Sequence, residues 1–306
     1  MNDELKVQAP WSKLAVFLSL MGGGLILYSL LGASVLKALG YASLSVKSTS
    51  INWNDQFLVQ LLKILQALSS IIVFLLPAAT YVRIVYTGHY AQHLGFVKAG
   101  KNTMYVLAVI AMISALPFVF WLGEVNRMVP LPEYATSIEE SASKQLEAFL
   151  KYRGLPGVLV NLFIIALLPA IGEELCFRSV LQKIMMQLTR NVWGGILLTG
   201  FLFSALHFQF EGFIPRFFLG VVLGMLYWYS GSIWTSFLAH FSVNAIQVLV
   251  ASYQPEFISS DPAIPTLLAV SSGCAAGVVL YYYRSISVKR THEIQWDEQL
   301  VDKGSS

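Results

Sequence analysis

The sequence predicts an all-α fold, a polytopic transmembrane bundle of about eight membrane-spanning helices, and three observations carry the prediction. Of 306 residues, 56% are apolar and only 12% are charged. The mean hydropathy of +0.63 lies outside the range usual for a soluble domain. Several apolar runs reach about 18 residues or more, enough helix to cross a hydrocarbon layer ~30 Å thick.

The spans fall at about 14–39, 57–82, 103–123, 155–171, 192–208, 213–230, 232–252 and 263–283. Before the first, acidic residues in "MNDELKVQAPWSK" precede the lysines and no small-residue cleavage site follows, so that span reads as a retained helix and not a signal peptide. The second carries Lys63 and Gln66, which requires either a long tilted helix or a face turned inward. The fourth continues through "IGEELCFRSV" to near Leu188, with Pro169 bending it. Spans six and seven are joined only by "SGS" and are therefore antiparallel neighbours.

Between the spans, residues 124–153 form an amphipathic connecting segment. Ile138, Leu146, Phe149 and Leu150 make a rough apolar stripe among charges, suited to the membrane surface or to docking on the bundle, and equally to a solvated helix. Residues 285–306 are a polar C-terminal tail. No internal repeat is evident, so residues 1–306 read as a single integral membrane domain. An even number of spans places both termini on one side, and the surplus of lysine and arginine there, from Lys6 to Arg290, makes that side cytoplasmic. The protein is expected to be multi-pass, in the cytoplasmic membrane if bacterial.

Other classes find little support. The net charge of +3 is spread among loops with no basic run interleaved with aromatics, so no nucleic-acid partner is expected. Two cysteines, Cys176 and Cys274, form no disulfide framework or metal-ligand spacing and read as small apolar core residues. His89 and His93 in "HYAQHLGF" have metal-ligand spacing but no nearby carboxylate, and read as a solvated loop.

Three polar clusters sit inside otherwise apolar spans: Glu173, Glu174 and Arg178; His207; and His240 with Asn244. Each ionisable group costs about 2.5–3.5 kcal/mol at a helix centre unless it is paired or faces a wet cavity. Glu174 and Arg178 are four apart and share a face, as do His240 and Asn244. Glu173 is turned by about 100° from Glu174 at 3.6 residues per turn, so the two carboxylates are not expected to point at one spot. One is free for chemistry while the other is tied to arginine. Packed together, the fourth, fifth and seventh spans would gather Glu173, His207, His240 and Asn244 in one polar pocket. That set suits hydrolysis, with a desolvated carboxylate as general base and imidazole or amide groups at an oxyanion. Zinc on Glu173, His207 and His240 is the alternative, although there is no "HExxH". Taken singly, each cluster has a packing explanation; three in successive polar-bearing helices are hard to explain that way.

The residues resemble a known family. "EELCFR" fits EExxxR, "FSALH" fits FxxxH and "HFSVN" fits HxxxN, in that order, with "LLPAIG" and "SVLQ" as similar apolar flanks. These are motifs of the CPBP family, also called the CAAX protease or Abi family, of intramembrane endopeptidases. The resemblance covers about 155–250, which would be the catalytic core. It implies that Glu173 activates the attacking water with help from His207, that His240 and Asn244 stabilise the oxyanion, and that Glu174 and Arg178 support the site. It also implies a glutamate-type peptidase without a cofactor, acting on a membrane-associated protein or peptide within the lipid bilayer. Relatives trim prenylated CAAX tails, mature peptides or confer bacteriocin immunity, and the residues do not choose among these. The rival readings are a non-catalytic membrane scaffold or immunity protein, and a transporter using the cluster as a proton relay.

Overall fold

A computed structural model describes residues 6–7, 9–41, 51–151, 154–254 and 263–287. The expected tail beyond residue 287, and with it Lys289 and Arg290, lies outside the described residues, as does Arg153. We number the helices α1 (Pro10–Ala38), α2 (Gln56–Val85), α3 (Tyr90–His93), α4 (Thr103–Arg127), α5 (Glu133–Leu150), α6 (Leu155–Thr189), α7 (Val192–Ala205), α8 (Phe213–Ser230), α9 (Ile233–Tyr253) and α10 (Thr266–Ser285). Seven of them, all but α3, α5 and α7, are long and apolar enough to cross a membrane. The polytopic helical bundle expected from the sequence is therefore present. Exposed Leu25, Ile26 and Leu30 on α1 and Leu267 and Val278 on α10 make an apolar exterior that only a hydrocarbon solvent would favour.

The fifth predicted span is the one that falls short. As α7 it holds 14 residues, about 21 Å at 1.5 Å per residue, against ~30 Å of hydrocarbon. It is tucked between α6 and α8 by glycines. A side chain on Gly195 would bring its Cβ to 2.7 Å from the Met186 backbone nitrogen, and one on Gly220 would bring its Cβ to 3.0 Å from the Gly200 Cα.

Prolines shape two long helices. Pro117 interrupts the backbone ladder of α4, and the Phe118 N–H beyond it donates to the Ser272 hydroxyl of α10 at 2.9 Å. On α6, Pro169 follows a widened π turn at Leu162–Leu167, and a second wide turn spans Leu175–Gln182. The helix runs on past the motif to Thr189, as expected. Such wide turns are common at functional sites.

Side-chain contacts fix the direction of each helix. The start of α1 meets the end of α6 through Lys13 and Gln187, and Ser232, at the start of α9, donates to the Val97 carbonyl before α4. Ser287, just past α10, donates to the Tyr229 carbonyl near the end of α8. One end of the bundle therefore gathers the start of α1 and the end of α10, because α7 makes a partial return that keeps the number of passes even.

Several loop and side-chain expectations change. Cys274 is exposed on α10, so it is not a core residue, whereas Cys176 is buried with its thiol on the Phe74 carbonyl at 3.1 Å. His93 is not solvated: it stacks on Tyr86 at 3.9 Å and its carbonyl accepts from Lys183, because Leu94, Gly95 and Ala99 pull the segment onto the bundle. His89 is exposed. Lys63 does face inward, bonded to Asn161 at 2.8 Å. The connecting segment docks only in part. Phe149 and Leu150 are buried, Ile138 and Leu146 are each 40% exposed, and Glu139 accepts a hydrogen bond from the Glu211 N–H.

Candidate active site

Two apolar clusters flank the polar residues. One joins α1, α2 and α6 around Tyr81, Phe177 and Ile184; the other joins α4, α8, α9 and α10 around Met112, Leu226 and Tyr283. Between them α6, α7 and α9 bring the predicted groups together. His240 lies seven residues into α9, about 10 Å from its start.

Glu174 and Arg178 are fully buried and paired, Nε to Oε2 at 3.2 Å. The other Glu174 oxygen accepts from His240 Nδ1 at 3.0 Å. A carboxylate only accepts, so Nδ1 carries a proton and Nε2 faces away from Glu174. That second nitrogen lies 3.8 Å from Glu173 Oε2, beyond hydrogen-bond length but close enough for charge to act. The expectation that the adjacent carboxylates could not meet one target is therefore corrected. Imidazole has a nitrogen on each of two edges, so both carboxylates flank the one ring from different sides.

His207 lies in the turn that follows α7. Its Nδ1 donates to the Phe203 carbonyl at 2.6 Å, which leaves Nε2 as the acceptor of the neutral ring. Asn244 sits one turn beyond His240, half-buried, and its side chain bonds to no other described residue.

Phe203 packs among these groups, although its place in the chain alone assigns it no role. Its ring makes edge contacts with His207 at 5.0 Å, with His240 at 5.9 Å and with Phe177 at 5.1 Å. The Arg178 guanidinium lies over the same ring at 5.1 Å. One aromatic thus orients both imidazoles and takes the face of the cation. The available signal was its place as the first residue of "FSALH". Gln182, also not singled out, ties α6 to α8 through the Gly224 carbonyl at 3.0 Å.

The arrangement offers one carboxylate already committed on both oxygens, one accessible carboxylate, and two histidines with defined free nitrogens. Among the described residues no group of three His, Cys, Asp or Glu side chains is placed to hold a metal ion. Glu173, His207 and His240 do not form such a group.

Residues 155–246, which hold all seven motif residues, Phe203 included, match the family described as "Type II CAAX prenyl endopeptidase Rce1-like". No curated protein and no solved structure matches the chain.

Proposed function

Taking residues 155–246 as a Rce1-like type II CAAX prenyl endopeptidase (CPBP) domain, of a family of intramembrane proteases, we propose that this chain hydrolyses peptide bonds in membrane-associated proteins or peptides with water activated by Glu173. The observation that carries the reading is the division of labour between adjacent glutamates. Glu174 is bonded on both oxygens, to Arg178 and His240, whereas among the described residues Glu173 has only the 3.8 Å approach of His240.

In this scheme Glu173 takes a proton from water as the oxygen bonds to the scissile carbonyl carbon. Neutral His207 helps orient the water through Nε2. The carbonyl oxygen gains the negative charge and is met by Asn244 and by His240, which as imidazolium donates from Nε2 while Nδ1 stays on Glu174. When the C–N bond breaks, Glu173 returns its proton to the leaving amine. The reaction needs no metal.

We place the end of the bundle that holds Pro10 and Ser285 in the cytoplasm. Lys13, Arg83, Lys101, Lys183, Arg190 and Arg284 at the helix termini of that end support this orientation. In a bacterium the membrane would be the cytoplasmic one.

The test compares new protein termini in membranes of cells expressing wild-type or Glu173→Gln chains at matched levels. Termini present only with wild type are the expected result and name substrates. Identical profiles, with the Glu173→Gln chain still supporting its cellular phenotype, would replace the protease by a scaffold.

A further inference from the structure

Unlike Glu173 and His240, His207 does not stand on a helix. α7 ends at Ala205 and α8 begins at Phe213, and His207 hangs in the turn between them, its N–H on the Ser204 carbonyl at 3.2 Å. The chain turns at Phe208 with a φ of +54°. That left-handed conformation is rare for a bulky residue and persists only where the surroundings hold it. The Phe208 ring is itself exposed, so its own packing does not supply the hold. Two ties are local: the Ser204 hydroxyl donates to the Phe213 carbonyl at 2.6 Å, and Arg216 Nη1 to the Gln209 side-chain oxygen at 2.9 Å.

Two further ties reach in from helices outside the family match at 155–246. Asn126, buried in the last turn of α4, donates from Nδ2 to the Phe210 carbonyl at 2.6 Å and accepts the Ile214 N–H on Oδ1 at 2.8 Å. One amide thus grips the backbone on both sides of the point where the turn becomes α8. A carboxylate there has nothing to donate to Phe210, and an aliphatic side chain does neither task. Glu139 of α5 accepts the Glu211 N–H at 3.1 Å. Ala135, one turn earlier on the same face of α5, is fully buried, so this part of the helix is seated on the protein. Docking of α4 and α5 alone would not require every one of these bonds to fall between Phe210 and Ile214, on the segment that carries His207.

We infer that Asn126 and Glu139 are positioning residues for His207: they hold the 206–212 turn so that the imidazole keeps Nδ1 on the Phe203 carbonyl and presents Nε2 to the site. Neither touches a reacting atom. The hold also fixes the tautomer. A neutral imidazole free to turn divides its proton between two nitrogens, whereas one fixed on a carbonyl keeps it on the nitrogen that donates. What Nε2 then does rests on the proteolytic reading of the same site; where it is held does not. Residues before 155 thereby become part of the working site, with α4 and α5 setting the imidazole that the matched segment carries.

The test reads the ring directly. The full chain, isotope-labelled at its histidine ring nitrogens, is purified in detergent, and proton–nitrogen spectra show which nitrogen carries the proton; the signals lost in His207→Gln assign the ring. Wild type is expected to show a protonated Nδ1 and a bare Nε2. Asn126→Ala and Glu139→Ala are expected to mix the tautomers. On a peptide spanning a cleavage position found from new protein termini, kcat should fall by about 10²-fold for Asn126→Ala and ~10-fold for Glu139→Ala, with KM little changed. Glu139→Gln keeps the accepting oxygen and should recover both the tautomer and most of the rate. Should Asn126→Ala fail to fold, the two Glu139 variants decide, since that side chain is only half-buried. A wild-type ring already mixed, or ring signals unmoved in the alanine variants while only Tm falls, would overturn the inference and leave plain docking. So would a tautomer shift that leaves kcat untouched. A tautomer shift in a chain whose wild type cleaves nothing would end the protease reading and leave the hold on His207 standing.

Discussion

Glu173 and Glu174 are neighbours with the same side chain, so replacing each by glutamine separates stability from chemistry. Glu174→Gln keeps the shape and removes the charge, leaving the Arg178 guanidinium fully buried without a counterion. Breaking one side of a buried pair costs about 3–5 kcal/mol. Relief is limited: Nη1 and Nη2 of Arg178 bond to no described residue, and the Phe203 ring at 5.1 Å is already in use. Taking ~3 kcal/mol, and about 2–4 °C per kcal/mol for a chain of this size, Tm falls by about 6–12 °C. Glu173→Gln loses only the 3.8 Å approach to His240 on a half-buried side chain. Its expected Tm lies within ~2 °C of wild type, while cleavage is abolished. The assay is intrinsic tryptophan fluorescence during heating in one detergent at fixed protein concentration, run beside peptide cleavage. Pairing Glu174→Gln with Arg178→Met should recover stability relative to either single change, because the uncompensated charge is then gone. Equal Tm losses for the two glutamine variants, or strictly additive losses in the double variant, would refute the division of labour between the two glutamates.

Asn244→Ala should lower kcat by about 10²–10³, the usual loss for one oxyanion donor, with Tm unchanged; an effect on KM alone would remove Asn244 from the oxyanion. Gly195→Ala should destabilise by about 1–3 kcal/mol through overpacking and also slow cleavage, because α7 carries the turn that holds His207; an unchanged Tm would show that α7 does not press on Met186. Asn161→Leu strands the buried Lys63 ammonium, now bonded at 2.8 Å, and should cost about 3 kcal/mol in thermal stability without touching the site. Dialysis against a strong chelator should leave the cleavage rate unchanged, and a loss restored by added zinc would overturn the metal-free scheme.

Much of the fold was legible because a bilayer demands it. Backbone groups in hydrocarbon must bond within their own helix, so length and apolarity alone mark α1, α2, α4, α6, α8, α9 and α10. What they do not mark is α7. Its apolar run reads like the others, and only the contacts of Gly195 and Gly200 with α6 and α8 show a short helix held inside the bundle. His93 was misread for a related reason: a polar segment between spans looks solvated until its apolar neighbours are seen to dock.

Within the site the same boundary holds. The Glu174–Arg178 pair follows from four-residue spacing on one helix, a local geometry that packing hardly alters. The order and spacing of the motif residues likewise named Glu173, His207, His240 and Asn244 as candidates from the chain alone. Which glutamate is committed, which imidazole nitrogen is free, and that Phe203 orients both histidines depend on where α6, α7 and α9 cross. Sequence by itself determined the number and type of the polar groups and which of them share a helix face, because 3.6 residues per turn is the same in every helix. Tertiary structure alone decided their pairing across helices, because those distances are set by the shapes of side chains far apart in the chain.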